Sequence, residues 1–278
     1  MATFVERLQG ACRANRSLVC VGLDPDPSRM PVKDVATFNR AIVEATADLV
    51  CAYKPNLAFY EALGNAGLKA LEETLRIIRK LAPSAIVIGD AKRGDIGNTS
   101  AAYAVALFDV WGFDAATVSP YLGGDSVEPF LAHADRGAFI LCRTSNAGAR
   151  EFQDLRVPAD VGSRPLYEAV ARKAQEWNTR GNVGLVVGAT YPDELKRIRS
   201  LCPALPILVP GVGAQGGDLD SAVLNGTDAD GRLAIVNSSR GIIYASRGAD
   251  YAQAARKAAT VLRDQINDVL TRAGHPWS

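Results

Sequence analysis

Short runs of apolar, often β-branched residues recur along the chain, and each is followed by a longer segment with helical periodicity. The short runs predict buried strands, and the longer segments predict amphipathic helices. The predicted strands are Leu18–Leu23, Cys51–Lys54, Ala85–Asp90, Ala115–Ser119, Ala138–Arg143, Val183–Val187, Ile207–Pro210 and Leu233–Ser238. The predicted helices are Lys33–Leu49, Gly67–Leu81, Thr99–Trp111, Ser126–His133, Pro165–Arg180, Pro192–Leu201, Asp218–Leu224 and Tyr251–Arg272.

Eight β-then-α units over about 250 residues are typical of an α/β protein with a closed (β/α)8 TIM barrel, whose site lies at the carboxyl ends of the strands. An open, doubly wound sheet produces a similar pattern, and periodicity does not separate the two. No low-complexity linker divides the chain, so we predict a single barrel domain over residues 1–278. The long connection from Asn146 to Arg164 is either a mobile lid over the site or a plain insertion.

The composition excludes several classes of function. Lys and Arg total 31 against 30 Asp and Glu, so the net charge of +1 offers no electrostatic footprint for nucleic acid or an anionic membrane. The five cysteines lack Cys-x-x-Cys spacing, and the two histidines lack a metal-ligand pattern. The N-terminus lacks the features of a signal peptide, and no apolar run reaches membrane-spanning length. We therefore expect a cytoplasmic protein without a zinc site or a His-based triad.

The segment Asp90-Ala-Lys92-Arg-Gly-Asp95-Ile-Gly-Asn-Thr99 follows an apolar strand. Because side chains alternate along a strand, Asp90 and Lys92 are expected to share a face, with Asp95 in the loop beyond. Buried charges are costly unless they are paired, so two carboxylates around one ammonium at a strand end indicate a functional site. The alternative is an ordinary surface salt bridge.

The segment from Pro210 to Asp218, which follows the seventh predicted strand, is rich in glycine. Arg240 follows the eighth predicted strand. Backbone N–H groups of a glycine-rich loop and an arginine fork bind phosphate, and loops seven and eight of this barrel often do so. The sequence therefore predicts a phosphorylated substrate. The run from Gly211 to Gly216 also fits Gly-x-Gly-x-x-Gly, but the acidic residue required after the next strand is missing, which leaves only an NADP-type interpretation with Arg240 on the 2′-phosphate.

The segment from Asp90 to Thr99 resembles the Asp-x-Lys-x-x-Asp signature of orotidine 5′-phosphate decarboxylases, particularly of one bacterial subgroup. One block departs from the family pattern: after the fifth strand, where the family has Ser-x-Pro-Gly, this chain has Ser145-Asn146-Ala147-Gly148. Other blocks of the family follow in order: Gly22-Leu23-Asp24, Lys54-Pro55-Asn56, Thr144-Ser145-Asn146, Pro210-Gly211-Val212-Gly213-Ala214-Gln215 and Ser239-Arg240-Gly241.

The resemblance implies decarboxylation of orotidine 5′-monophosphate to UMP, the last step of de novo pyrimidine synthesis, without metal or organic cofactor. By this resemblance Lys92 stabilises the carbanion at C6 and then donates a proton to it. Asp90 lies against the substrate carboxylate, and Lys54 and Asp95 complete an alternating array of charges.

The resemblance also assigns the residues that bind the substrate. Asp24 binds a ribose hydroxyl and Ser145 binds the amide edge of the pyrimidine. Gln215 and Arg240 bind the phosphate. Two further positions complete the predicted substrate site, namely Pro210 and Ser239.

In this family the second aspartate of the motif reaches the neighbouring subunit's site together with the residues that follow it. The resemblance therefore implies a homodimer with shared active sites, in which Asp95, Ile96 and Thr99 serve the partner, with Asp95 and Thr99 near the ribose hydroxyls.

Other functions fit parts of the pattern. A Mg²⁺-dependent sugar-phosphate lyase or synthase would use Asp90 as a metal ligand, and a Schiff-base aldolase would use Lys92 or Lys54 as nucleophile. A nucleotide-binding barrel without chemistry is a non-enzymatic alternative.

Overall fold

The computed structural model describes residues 2–212 and 218–277. In chain order the strands are β1 Val19–Leu23, β2 Ala52–Pro55, β3 Ile86–Arg93, β4 Ala115–Val118, β5 Gly137–Arg143, β6 Arg156–Pro158, β7 Ser163–Pro165, β8 Val183–Val187, β9 Ile207–Pro210 and β10 Ala234–Ser238. Eight of them are parallel and close into a barrel in the order β1-β10-β9-β8-β5-β4-β3-β2, which confirms the predicted (β/α)8 fold and rules out an open sheet. A separate two-stranded antiparallel sheet pairs β6 with β7.

The barrel strands are apolar on both faces because one face fills the barrel interior and the other packs under the surrounding helices. Every residue of β1, β2, β4 and β8 is buried. The ring is closed by parallel pairing of β1 with β10, in which Val19 lies opposite Val236. Each predicted barrel strand overlaps an observed one, but β3 continues beyond the predicted end at Asp90 to Arg93.

Helices surround the barrel, and every predicted helix overlaps an observed one. In chain order the α-helices are α1 Phe4–Asn15, α2 Val35–Thr46, α3 Leu57–Glu61, α4 Gly64–Leu81, α5 Gly97–Val105, α6 Gly124–Leu131, α7 Leu166–Trp177, α8 Pro192–Leu201, α9 Leu219–Gly226, α10 Arg240–Ile243 and α11 Tyr251–Arg272. In the described part of the chain, three of these were not predicted from the periodicity, namely α1, α3 and α10. A π-helix at Ala106–Val110 continues α5 directly.

Helix α1 packs across the amino-terminal end of the barrel. It begins with a capping box, in which the Thr3 side chain accepts from the Glu6 backbone N–H and the Glu6 carboxylate accepts from the Thr3 N–H. Its Phe4 ring meets Phe139 of β5 edge to face, with ring centroids 5.9 Å apart. The helix therefore covers the end of the barrel opposite to the predicted site.

The predicted lid segment between Asn146 and Arg164 contains regular structure. A 3-10 helix spans Ala147–Glu151, and the hairpin of β6 and β7 follows, with Val157 paired to Arg164. The residues next to β5 in this segment lie over the barrel opening, whereas the hairpin lies against α7.

Candidate active site

Two adjoining cavities open at the carboxyl ends of the barrel strands, where enzymes of this fold carry their chemistry. The larger, of about 650 Å³, lies over the ends of β3, β4 and β5. The smaller, of about 180 Å³, lies between the ends of β1 and β10. Three residues line both, namely Lys54, Asp90 and Pro210. The two cavities therefore meet at the predicted charged cluster.

Asp90 is the centre of that cluster. Its Oδ2 accepts a hydrogen bond from Lys54 Nζ at 2.8 Å, and its Oδ1 accepts one from Lys92 Nζ at 2.6 Å. Thr117 Oγ1, from β4, donates to the same Oδ1 at 3.0 Å. The Lys54 side chain is only 5% exposed, whereas that of Lys92 is 50% exposed. Lys54 is thus a buried partner, and Lys92 presents its ammonium to the open cavity.

Lys92 has a left-handed backbone conformation, with φ of 47°. The pairing of β3 with β4 is irregular between Gly89 and Arg93, so Lys92 lies in a bulge rather than in a regular strand. Thr117 Oγ1 accepts a hydrogen bond from the Lys92 N–H at 2.9 Å, which fixes this conformation. A bulge and a residue at positive φ both re-aim side chains and are common beside functional sites.

Burial and charge oppose each other at the cluster. Burial acts to raise the pKa of Asp90, but the charges of Lys54 and Lys92 and their hydrogen bonds prevail and hold it well below its ordinary value. Burial likewise acts to lower the pKa of Lys54, but Asp90 and then Asp24 raise it above its ordinary value. The carboxylate and the buried ammonium are therefore both charged at neutral pH.

The smaller cavity contains the predicted ribose and phosphate residues Asp24, Ser239 and Arg240. The Oδ1 atom of Asp24 is buried and has no hydrogen-bond partner among the described residues, so it is available to a ligand hydroxyl. Gly22 allows the close approach of β1 to the residue after β10, because a Cβ there would lie 1.8 Å from Ser239 Oγ. Arg240 is exposed at the start of α10.

Ser145 lies on the wall of the larger cavity, two residues after the end of β5. Its backbone passes close to Gly188, where a Cβ would lie 2.7 Å from Ser145 Cβ. The residue after β8 must therefore be glycine for the serine to take its place.

The remaining predicted residues lie beyond the cluster. Asp95 makes no ion pair with Lys54 or Lys92 in the described part of the chain, and its Oδ1 accepts from the Ile96 N–H at 2.7 Å. Ile96 is 58% exposed, and Thr99 is exposed in α5. Gln215 lies outside the described residues.

Several residues that line the cavities were not predicted. Thr117 is a buried hydroxyl in an otherwise apolar strand, a signal that the sequence did contain. Asn56 and Asn237 line the smaller cavity, and Phe152 and Gln153 line the larger one. These four become recognisable only when the strand ends and the segment after β5 are brought together.

The geometry can be compared with known proteins. Residues 17–258 match the family described as orotidine 5′-phosphate decarboxylase / HUMPS. The chain belongs to this family. A Dehalococcoides mccartyi protein named orotidine 5′-phosphate decarboxylase is 55% identical over 270 residues, covering 97% of this chain and 99% of the relative. A Roseiflexus castenholzii protein of the same name is 56% identical over 274 residues, covering 96% and 98%.

A solved structure gives the same relationship. The structure of Leishmania donovani OMP decarboxylase is 42% identical and superposes with a TM-score of 0.83, covering 96% of this chain and 98% of that one. The predicted family is confirmed, and with it the predicted enzyme class, a carboxy-lyase that converts orotidine 5′-monophosphate to UMP in pyrimidine biosynthesis. Within residues 2–212 and 218–277, no helix combines the length and apolarity needed to cross a membrane.

Proposed function

We propose that orotidine 5′-monophosphate binds across the two cavities and that Lys92 is the catalytic residue of its decarboxylation. The observation that carries this proposal is the Lys54–Asp90–Lys92 array, in which a buried carboxylate bonds two ammonium groups. Both lysines line the larger cavity, but the Lys92 side chain is 50% exposed and that of Lys54 only 5%. The array stands where the two cavities meet. A nucleotide with its base in one cavity and its phosphate in the other places its reacting carbon beside Lys92.

The reaction requires a positively charged group beside C6 of the pyrimidine ring. When the bond between C6 and the carboxylate breaks, CO₂ leaves and the electron pair stays on C6. The Lys92 ammonium stabilises that developing charge and then transfers a proton to C6, which yields UMP. Neither step requires a metal ion or an organic cofactor.

Asp90 and Lys54 hold the array in place before the substrate arrives. The two carboxylate oxygens of Asp90 bond separate ammonium groups, so neither lysine can move without losing a short charged hydrogen bond. Asp90 also lies against the substrate carboxylate, a repulsive contact that departure of CO₂ relieves. Electrostatic groups that are fixed in this way need no reorganisation during the reaction.

The other predicted residues bind the substrate away from C6. Asp24 accepts from a ribose hydroxyl with its unpartnered buried Oδ1. Ser145 contacts the amide edge of the pyrimidine, and Pro210 lies where the cavities meet. Arg240 and Gln215 bind the phosphate, and Ser239 directly precedes Arg240 in the smaller cavity. Binding energy from the phosphate helps to organise the reacting end.

The test is the rate of decrease of orotidine 5′-monophosphate absorbance in EDTA-treated buffer. Lys92→Ala is expected to lower kcat about 10⁴-fold or more, because it removes both a charge stabiliser and a proton donor. Lys80→Ala, at an exposed position in α4, is the matched control and should keep wild-type turnover. Activity of Lys92→Ala close to that of wild type would reject the role of Lys92.

We also propose that two copies of the chain form a homodimer with shared active sites. Asp95, three residues after Lys92, makes no ion pair with the cluster in the described residues, and Ile96 next to it is 58% exposed. Tyr121 and Leu122, in the loop after β4, are 82% and 48% exposed. Such exposed apolar side chains are suited to burial against a second copy, which would bring Asp95, Ile96 and Thr99 to the partner's ribose site.

Mixing two inactive variants tests the sharing of sites. Lys92→Ala and Asp95→Ala chains should regain about a quarter of wild-type activity after unfolding and refolding together, since half of the random dimers contain one site with neither substitution. Each variant refolded alone is the control. No recovery in mixed dimers, with dimer formation verified by light scattering, would contradict the shared site.

The family's role in nucleotide synthesis and the five buried, free cysteines support a cytoplasmic location. Fractionation of cells that express a tagged chain would test it.

A further inference from the structure

We infer that Arg143 and Gln153 are positioning residues that fix Ser145 at the base-binding end of the larger cavity. This inference rests on the proposed contact between Ser145 and the pyrimidine. Its starting point is Arg143, the last residue of β5, whose side chain is fully buried. Burying a guanidinium has a large desolvation cost, and a buried ion pair often adds little to the stability of the fold. The contacts of Arg143 are therefore better explained by a role in the site.

The Arg143 guanidinium contacts Tyr191, after β8, and the segment after β5, which borders the larger cavity. Its Cζ lies 4.0 Å from the centroid of the Tyr191 ring, a cation–π contact that fixes the plane of the group. Its Nη2 forms an ion pair with Asp154 Oδ1 at 3.3 Å, and its Nη1 donates to Gln153 Oε1 at 3.4 Å. Its Nε and Nη2 have no hydrogen-bond partner among the described residues, so the contact of Nη2 with Asp154 is an ion pair only. Arg143 therefore connects β5 with the segment that follows it.

Gln153 carries the connection to Thr144. Its Oε1 accepts from the Thr144 N–H at 2.8 Å, and its Nε2 donates to Thr144 Oγ1 at 2.9 Å. Because Oε1 also accepts from Arg143, the amide has one favourable orientation, with oxygen toward the two donors and nitrogen toward the hydroxyl. Thr144 Oγ1 in turn donates to Asn146 Oδ1 at 2.7 Å.

The result is a directional chain of hydrogen bonds from Arg143 through Gln153 and Thr144 to Asn146. Its last two members are the residues immediately before and after Ser145, so the serine is held from both sides. Phe152, next to Gln153, is 57% exposed and lines the same cavity. The Gln153 amide thus positions the residues on either side of Ser145, and its chain neighbour Phe152 lines the same cavity.

Loss of the Gln153 hydrogen bonds is expected to weaken binding of the base and to leave binding of the phosphate unaffected. Gln153→Met keeps the length of the side chain and removes both bonds to Thr144. We expect UMP affinity to fall about 10- to 100-fold, the effect of two ordinary hydrogen bonds, while inhibition by ribose 5-phosphate changes less than about twofold. Gln175→Met, at an exposed position in α7, is the matched control.

The experiment measures competitive inhibition of decarboxylation by UMP and by ribose 5-phosphate, with thermal unfolding of each variant. Arg143→Lys keeps the charge without the fork and should show the same base-specific loss, smaller than that of Gln153→Met. A parallel fall in affinity for both ligands, or no change for either, overturns the inference. If Arg143→Lys does not fold, Gln153→Met decides alone. Wild-type protein without turnover would instead reject the proposed function.

Discussion

Two buried carboxylates lie at opposite ends of the barrel, and each is surrounded by cations. Asp90, near the carboxyl end of β3, bonds Lys54 and Lys92. Asp114, immediately before β4 and 1% exposed, forms ion pairs with three arginines and accepts from the Val87 backbone N–H at 2.8 Å. The arginines are Arg7 of α1, Arg79 of α4, at 2.8 Å, and Arg136, at 3.4 Å.

The difference lies in what the cations can still do. Arg7 and Arg79 connect helices α1 and α4 to the residue before β4, and Arg136 connects the segment before β5 to the same residue. Asp114 lines neither of the two cavities of the site. The lysines around Asp90 are compact charges on flexible stems, and one of them faces open space. Burial and pairing of a carboxylate therefore do not mark a site on their own; a cation that remains accessible at the carboxyl ends of the strands does.

Replacing the carboxylate at each end is expected to affect different properties. Asp90→Asn should lower kcat about 10³-fold or more, because the charged hydrogen bonds that fix Lys54 and Lys92 are lost. Steady-state turnover with saturating orotidine 5′-monophosphate measures it. Retention of wild-type kcat would show that Asp90, like Asp114, serves the fold.

Asp114→Asn should lower the free energy of unfolding by about 3 kcal/mol, because it leaves three guanidinium groups without their buried partner. Turnover per folded molecule should stay within about twofold of wild type, because the residue lies far from the reacting groups. Urea unfolding and active-site titration measure the two quantities. Asp135→Asn, which removes an exposed partner of Arg136, is the control and should have little effect.

The contribution of the Asp90 cluster to the stability of the fold depends on pH. Because the folded-state pKa of Asp90 is below its ordinary 3.8, its ion pairs stabilise the fold above that pH and the contribution is lost as the pH falls through the folded value. The raised pKa of Lys54 adds stability that is complete below 10.5 and lost at higher pH.

Urea unfolding across the pH range measures this contribution. The gap in unfolding free energy between wild type and Asp90→Asn should be constant from about pH 5 to 9 and shrink below about pH 3, where the protonated carboxyl resembles the amide. A gap that does not change at acid pH would mean that the ion pairs add no stability.

Thr117→Val tests the hydrogen bonds of the Thr117 hydroxyl, which is the uncharged member of the cluster. The substitution removes the hydroxyl that bonds both Asp90 Oδ1 and the Lys92 N–H. Stability should fall by about 1 kcal/mol, and kcat about tenfold, because the bulge that aims Lys92 is no longer fixed. Thr117→Ser, which keeps the hydroxyl, should recover most of the turnover. Equal turnover of Thr117→Val and Thr117→Ser would mean that the Thr117 hydroxyl does not position Lys92.

Much of the fold follows from the sequence because the barrel repeats one local unit. Eight buried strands with intervening amphipathic helices are visible as periodicity, and the strand ends then indicate which polar residues converge. Asp90, Lys92, Lys54 and Asp24 were all predicted in this way or by family resemblance, and each lines one or both of the two cavities.

What the sequence did not predict depends on contacts between distant segments. The bulge at Lys92 depends on a hydrogen bond from its backbone to Thr117 on the next strand. The role of Gln153 depends on the way in which the segment after β5 folds back on Thr144. Helix α1 did carry a local signal, the Thr3 and Glu6 capping box, but it precedes the first β-then-α unit and was not predicted.

Closure of the barrel by β1 and β10 has a consequence for synthesis of the chain on the ribosome. Asp24 follows the first strand to be made, whereas Ser239 and Arg240 follow the last, and the three meet in one cavity. A nascent chain that lacks β10 contains Lys54, Asp90 and Lys92 but lacks Ser239 and Arg240, which line the smaller cavity. Translation must therefore reach its final segment before any of the earlier residues can act on substrate.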